Sequence, residues 1–227
     1  MLNYEIAAPI LFPFVPRGTE LDDFEGRHFC SIVGFLFRRT RIRGVAVPFH
    51  VDFEEVNLRF YVRRRVAGEW RRAAVFISEL VPRFWIAAIA RVVYNERYRA
   101  VPMRHHVQLP VDGSAGRVDF GFRVDGRWGA VSATTVGAPA VPGEASLERF
   151  ITEHYWGYAA QRDRGTVEYQ VAHPPWRVWQ VSRAALDAPI GALYGAQFVE
   201  ALSVPPASAF VAEGSDVAVY PGVRVTG

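Results

Sequence analysis

Phe53-Glu54-Glu55-Val56-Asn57-Leu58-Arg59-Phe60-Tyr61-Val62 and the run that returns from it to Val81 decide the fold. From Val56 to Val81, two runs rich in Leu, Phe, Tyr, Val, Trp and Ile flank Ala67-Gly68-Glu69, the pattern of a long antiparallel hairpin. Leu58, Phe60 and Val62 share one face of its first strand by the period of two, and Arg59, Tyr61 and Arg63 share the other. A strand with one oily and one polar face belongs to an antiparallel sheet that covers a core on one side.

Working outward, Phe29 to Phe37 reads as a strand, with the basic connection Arg38 to Gly44 and Pro48 after it. Pro82 opens a predicted helix over Arg83 to Tyr94 that is apolar around most of its circumference and therefore buried. Asn95-Glu96 breaks that pattern before a further segment, Tyr98 to Leu109. Asp125-Gly126 inside Arg117 to Thr135 is the strongest short hairpin signal in the chain. Gly137 to Gly143 reads as a linker or lid, and Ser146 as the N-cap of a helix from Leu147 to about Tyr158. Strand-like runs return at Thr166 to Ala172, Trp176 to Val181 and Val217 to Val225. Many short strands with two or three helices predict a mostly β (α+β) fold, an antiparallel barrel-like sheet, in a single domain over residues 1–227. Two lobes meeting near residue 140 would be the other arrangement, but no charged or Ser-rich linker calls for them.

The 227 residues contain 26 of Lys plus Arg, and every one is Arg. Without a lysine there is no side-chain amine for a Schiff base, no Walker A phosphate loop and no usual pyridoxal phosphate linkage, and no cofactor is expected. A net charge of +3 does not by itself point to nucleic acid, and a single Cys, Cys30, allows neither an internal disulfide nor a Cys-based zinc site. Cys30 falls in an apolar strand as inert core. With Pro9 and Pro13 breaking the apolar start, the expectation is a cytoplasmic protein that does not enter membranes.

Glu55, Asn57 and Arg59 alternate, which aims a carboxylate, an amide and a guanidinium the same way. Such a set suits a small carboxylate or keto acid, with Arg59 clamping the anion, Asn57 donating and Glu55 transferring a proton. A structural ion pair or a solvated face is the plainer account of the same spacing. Arg91, polar near the end of the apolar helix, needs a carboxylate such as Glu55 or Glu79, a carbonyl, a ligand, or an escape to water along its stem. His50, Asp52 and Glu54 with His105-His106 offer metal-binding atoms in no familiar spacing, and no metal is expected. Tyr155, Tyr158, His173 and Trp176 either line a cavity mouth or pack. The Arg38, Arg39, Arg41, Arg43 group and the Arg63, Arg64, Arg65, Arg71, Arg72 group read as solvated surface, which leaves nucleic acid an unfavoured partner and a homo-oligomer open. A non-catalytic module using those arginines for assembly is the alternative to small-molecule binding.

Asn3-Tyr4-Glu5, Val15-Pro16-Arg17-Gly18-Thr19-Glu20-Leu21-Asp22, Phe24-Glu25-Gly26 and Val33-Gly34-Phe35 together resemble the opening of the YqjF-like family, domain of unknown function 2071. The likeness continues through Glu55-Val56-Asn57-Leu58-Arg59, Ala90-Arg91, Tyr98 to Met103, Glu153-His154-Tyr155 and His173-Pro174-Pro175-Trp176, nearly the whole chain. That family is similar to acetoacetate decarboxylase. The resemblance implies antiparallel strands closing around a cavity that takes an organic acid or keto compound, lyase-like chemistry if it is an enzyme, and a further strand ahead of Asn3. It places Glu55 at an active-site glutamate and Tyr98-Arg99 near the Schiff-base lysine. Arg99 cannot take that lysine's role, because a guanidinium is not deprotonated to a nucleophile. The resemblance thus implies Glu55 as the catalytic group, with Asn57, Arg59, Arg91, Tyr98 and His173 around the substrate.

Overall fold

Ala67 (φ 50°) and Gly68 (φ 90°) turn the long hairpin, both in the left-handed region. Paired positive φ values belong to the tight turn whose twist matches that of the strands. In the computed structural model, which describes residues 1–38, 41–42, 45–46, 52–82, 98–110 and 114–225, this hairpin is the centre of the sheet.

The elements follow in chain order. β1 (Leu2–Glu5), α1 (Ala8–Leu11), β2 (Glu20–Leu21) and β3 (Phe29–Phe37) lead to the small pair β4 (Arg41–Ile42) and β5 (Val45–Ala46). Then come the hairpin strands β6 (Phe53–Val66) and β7 (Glu69–Val81), followed by β8 (Tyr98–Ala100), β9 (Met103–Gln108), β10 (Gly116–Val124) and β11 (Arg127–Ala140). The last part holds α2 (Leu147–Thr152), β12 (Trp156–Ala160), β13 (Thr166–Ala172), β14 (Val178–Asp187), α3 (Ile190–Tyr194), α4 (Val199–Leu202), β15 (Ser208–Ala212), β16 (Ala218–Val219) and β17 (Val223–Arg224). Both predicted hairpins are present, the second turning at Asp125 (φ 50°) and Gly126 (φ 83°).

Strands hydrogen-bond in the order β16-β13-β12-β7-β6-β3-β1-β15-β14-β11-β10-β9, with β17, β2 and β8 added at the side. The fold is mostly β, as the sequence pattern predicts. Two expectations are corrected. The sheet is mixed, because β7 pairs in parallel with both β12 and β8. It is also open, ending at β16 and β9, so it is a barrel only loosely. The sheet doubles over: a Cβ at Gly34 of β3 would lie 2.6 Å from the Phe120 ring of β10. Leu58, Phe60 and Val62 of β6 share one core with Val118, Phe120 and Phe122 of β10, and Cys30 sits within it, its thiol pushed up to about 12 by burial.

Ser146 caps α2, accepting from the Arg149 amide at 3.2 Å, but the helix stops at Thr152 instead of running to Tyr158. Trp156 to Ala160 form a strand instead, with Tyr158 buried and its hydroxyl donating to the buried Glu168 at 2.6 Å. The predicted linker starts later, since β11 continues to Ala140 through irregular pairing with β14. The predicted helix over residues 83–94 lies outside the described residues.

Gly129 of β11 marks the closest approach within this half of the sheet. A Cβ there would run into the Asp187 carbonyl oxygen of β14 and lie 3.0 Å from the Phe122 ring. Gly129→Ala is therefore expected to destabilise by about 1–3 kcal/mol, because a backbone carbonyl cannot step aside as a flexible side chain can. Urea unfolding checks this, and an unchanged midpoint would contradict it.

Candidate functional site

The hairpin register builds a buried polar row. The turn sets Val66 opposite Glu69 and Arg59 opposite Phe76, after which β7 gains one residue and Leu58 stands opposite Ser78 and Asn57 opposite Glu79. This bulge moves Glu79 onto the face of Glu55 and Asn57. All three are buried, with exposures of 2%, 1% and 1% for Glu55, Asn57 and Glu79. Asn57 Nδ2 donates to Glu55 Oε1 at 3.0 Å, which turns the amide oxygen away from the carboxylate. Among the described residues Asn57 Oδ1 accepts no hydrogen bond. A buried amide oxygen without a donor is costly.

Tyr98 joins this row: β8 sets it beside Glu79 in parallel register, and it packs against the buried pair Phe53 and Val81, as Phe37 also does. Arg59 shares the strand face but turns the other way. Its Nε donates to Tyr61 Oη at 3.3 Å and its Nη2 to the Ile151 carbonyl at 3.3 Å, so it anchors the end of α2. His173 stacks on Trp176 at 4.1 Å, with the Tyr155 ring tilted against it at 5.0 Å, and no hydrogen bond, ion pair or ring contact joins it to the row among the described residues. Trp176 does not fill a core gap; it donates to Ser215 at the surface. Arg91 lies outside the described residues, as do His50 and, of the first Arg group, Arg39 and Arg43. The structure thus brings together Glu55, Asn57 and Tyr98, adds Glu79 as a member, and sets Arg59 and His173 apart from them.

The second Arg group is not merely solvated surface. Arg64 and Arg71 converge on the buried Glu168, and Arg72 Nε donates to the buried Asp22 at 2.7 Å, with Arg63 Nη1 3.7 Å from its other oxygen. His154 stands behind Asp22, its Nε2 3.5 Å from Oδ2, stacked on Tyr61 at 4.4 Å. A buried string, Asn3 to Ser31 at 2.6 Å and Ser31 to Tyr61 at 2.7 Å, continues from there to Arg59.

With this geometry in view, the comparisons carry weight. A sequence model of the family described as an uncharacterized conserved protein, DUF2071, matches residues 1–216. The chain belongs to the DUF2071 family. No functionally curated protein matches this DUF2071 chain by sequence. Solved structures share its fold. The enduracididine biosynthesis enzyme MppR with HEPES buffer bound aligns at 15% identity and TM-score 0.65, covering 99% of this chain and 84% of that one. Acetoacetate decarboxylase from Legionella pneumophila aligns at 14% identity and TM-score 0.59, covering 99% and 83%. An acetoacetate decarboxylase-like enzyme from Sphingomonas wittichii RW1 gives 13% and 0.60, covering 99% and 89%. At these identities the likeness establishes an acetoacetate decarboxylase-like architecture for the DUF2071 chain. No helix among the described residues is long and apolar enough to cross a membrane.

Sequence reading noted Glu79 only as a partner for Arg91, met Asp22 and His154 only within the stretches that carry the family resemblance, and gave Glu168 no role. Asp22 and His154 are 132 positions apart and meet only because β2 lies on β6 while α2 packs over the same face. Burial lowers His154 in this DUF2071 chain from 6.5 to about 4, Asp22 opposing and Arg72 and Arg59 adding to the depression. Between those values the unfolded chain takes up a proton that the folded chain refuses, so stability falls as pH drops from about 6.5 and levels off near 4. The loss is on the order of 3 kcal/mol. Below this window Asp22 takes over: burial alone would raise it, but His154 and Arg72 hold it below the usual carboxylate range. Melting temperatures between pH 7 and pH 4 are expected to decline in the native chain and to flatten in His154→Phe, and equal slopes would refute the assignment.

Proposed function

We propose that the chain binds a small organic acid or keto compound against the Glu55, Asn57, Glu79 and Tyr98 row, and that Glu55 moves a proton on it. The observation that carries this reading is the buried Asn57 amide oxygen, left without a donor beside two buried carboxylates. Support of a different kind comes from MppR, a fold neighbour at 16% identity that has been solved in complex with pyruvate. Arg91, which follows β7 in the chain and was matched to the carboxylates from the sequence, is assigned to the ligand's anion. Arg59 contributes by fixing α2. His173, stacked on Trp176, is assigned to the rim.

The chemistry proceeds without a lysine imine, because the chain has no lysine. Glu55 accepts a proton from the carbon next to the ligand's carbonyl; the C–H pair becomes the new C=C bond and the carbonyl π pair moves onto oxygen, giving an enolate. Returning the proton at carbon, or expelling a leaving group from the neighbouring carbon, completes an exchange or a lyase step.

Pyruvate at 100 times its dissociation constant adds about 2.7 kcal/mol to stability. In a chain of this length that corresponds to a rise in melting temperature of roughly 5–10 °C. Proton NMR in heavy water would then show deuterium entering the methyl group of pyruvate faster with the protein than without it. Glu55→Gln is expected to slow that exchange by about 100-fold or more while keeping the thermal shift. A panel of keto and carboxylic acids producing neither shift nor exchange would end this reading.

A further inference from the structure

β16 and β17 are two pieces of one edge strand. Both pair antiparallel with β13, Val219 opposite Val171 and Arg224 opposite Val167, in registers that differ by one residue, so the extra residue falls between Val219 and Val223. The Tyr220 N–H donates inward to the Gln170 carbonyl at 2.9 Å and the Val225 N–H to that of Thr166 at 2.8 Å. Backbone groups alternate sides along a strand, so those of Val217 and Val219, and of Gly222 and Arg224, point outward. Among the described residues no strand pairs with that outer edge, because β16 ends the sheet. Pro221 sits at the bulge between the two outward sets, where its missing N–H interrupts neither.

Natural sheets blunt such edges with charge. Here residues 217–223 read Val-Ala-Val-Tyr-Pro-Gly-Val, without a charge. Val217, Val219, Tyr220 and Val223 are 49%, 52%, 50% and 61% exposed, the densest run of exposed large apolar side chains among the described residues. We propose that this edge joins two copies of the chain, β16 and β17 of one protomer pairing antiparallel with β16 and β17 of its partner about a two-fold axis between Tyr220 and Pro221. One register satisfies the outward groups of both copies: Val217 opposite the partner's Arg224 and Val219 opposite the partner's Gly222. Ala218 then meets the partner's Val223, and Tyr220 the partner's Pro221. A second copy is the occupant because the edge is complementary to itself. Val219 faces a residue with no side chain, Val223 faces an alanine, and no charge lies at the axis. The two Arg224 side chains, each already paired with Asp163, stand at opposite ends of the contact, so like charges do not meet. A contact confined to two short edges is at the small end of specific interfaces, and a dimer that dissociates on dilution is expected.

Sedimentation velocity of the full chain, from low micromolar to hundreds of micromolar, tests the assignment. The expected result is a monomer–dimer equilibrium whose dissociation constant rises about tenfold or more in Tyr220→Glu and in Tyr220→Arg, because each sets two like charges side by side across the axis. An equimolar mixture of the two variants sets opposite charges there and restores the dimer. Val204→Glu, at an exposed valine elsewhere, leaves the association unchanged. A native chain that stays monomeric throughout overturns the proposal. So does a dimer indifferent to both Tyr220 variants, a mixture no more associated than either variant alone, or an equal loss in Val204→Glu.

Discussion

The one-residue bulge in β7 is the constraint from which the polar row follows. Pairing in a two-residue hairpin fixes the sum of partner numbers, and the sum of 135 holds from Val66 with Glu69 to Arg59 with Phe76. Had it continued, Glu79 would stand opposite Val56 on the core face, where a carboxylate among Leu58, Phe120 and their neighbours could not stay ionised. The bulge places Ile77 and Ser78 together toward the core side and turns Glu79 to Asn57. Two parallel partners, β12 near the turn and β8 near the far end, then fix β7 from outside.

Around that hairpin the polar groups divide by face and by position. The odd-numbered side of β6 carries Glu55 and Asn57 at one end, Arg59 and Tyr61 in the middle and Arg63 at the other. The middle is spent on structure: Tyr61 bridges Ser31 and Arg59, His154 stacks on it, and Arg59 fastens α2. One strand thus holds a buried acidic row and a cluster of arginine–carboxylate pairs apart, with a satisfied polar segment between them.

What could be read from the sequence depended on range. Asp125-Gly126 and the apolar runs beside Ala67-Gly68 announced both hairpins, because turn residues and strand period are local signals. Glu55 and Asn57 were visible as neighbours on one face for the same reason. Glu79 was not, since a bulge has no signature in its own residues here. Tyr158 misled because helix and strand both accept its neighbours, and the choice was made by distant Glu168 and by pairing with β7. Arg59 was read toward the site because alternation gives the side of a strand and not the direction of a long side chain.

The like-charged tip of the hairpin bears on the order in which the chain assembles. Arg63 opposite Arg72 meets Glu20, Asp22 and Asp23, which arrive from far upstream, and Arg64 opposite Arg71 meets Glu168, which arrives from far downstream. Closing of the tip is therefore opposed by its own like charges until those distant carboxylates dock, which couples the local hairpin to contacts far along the chain.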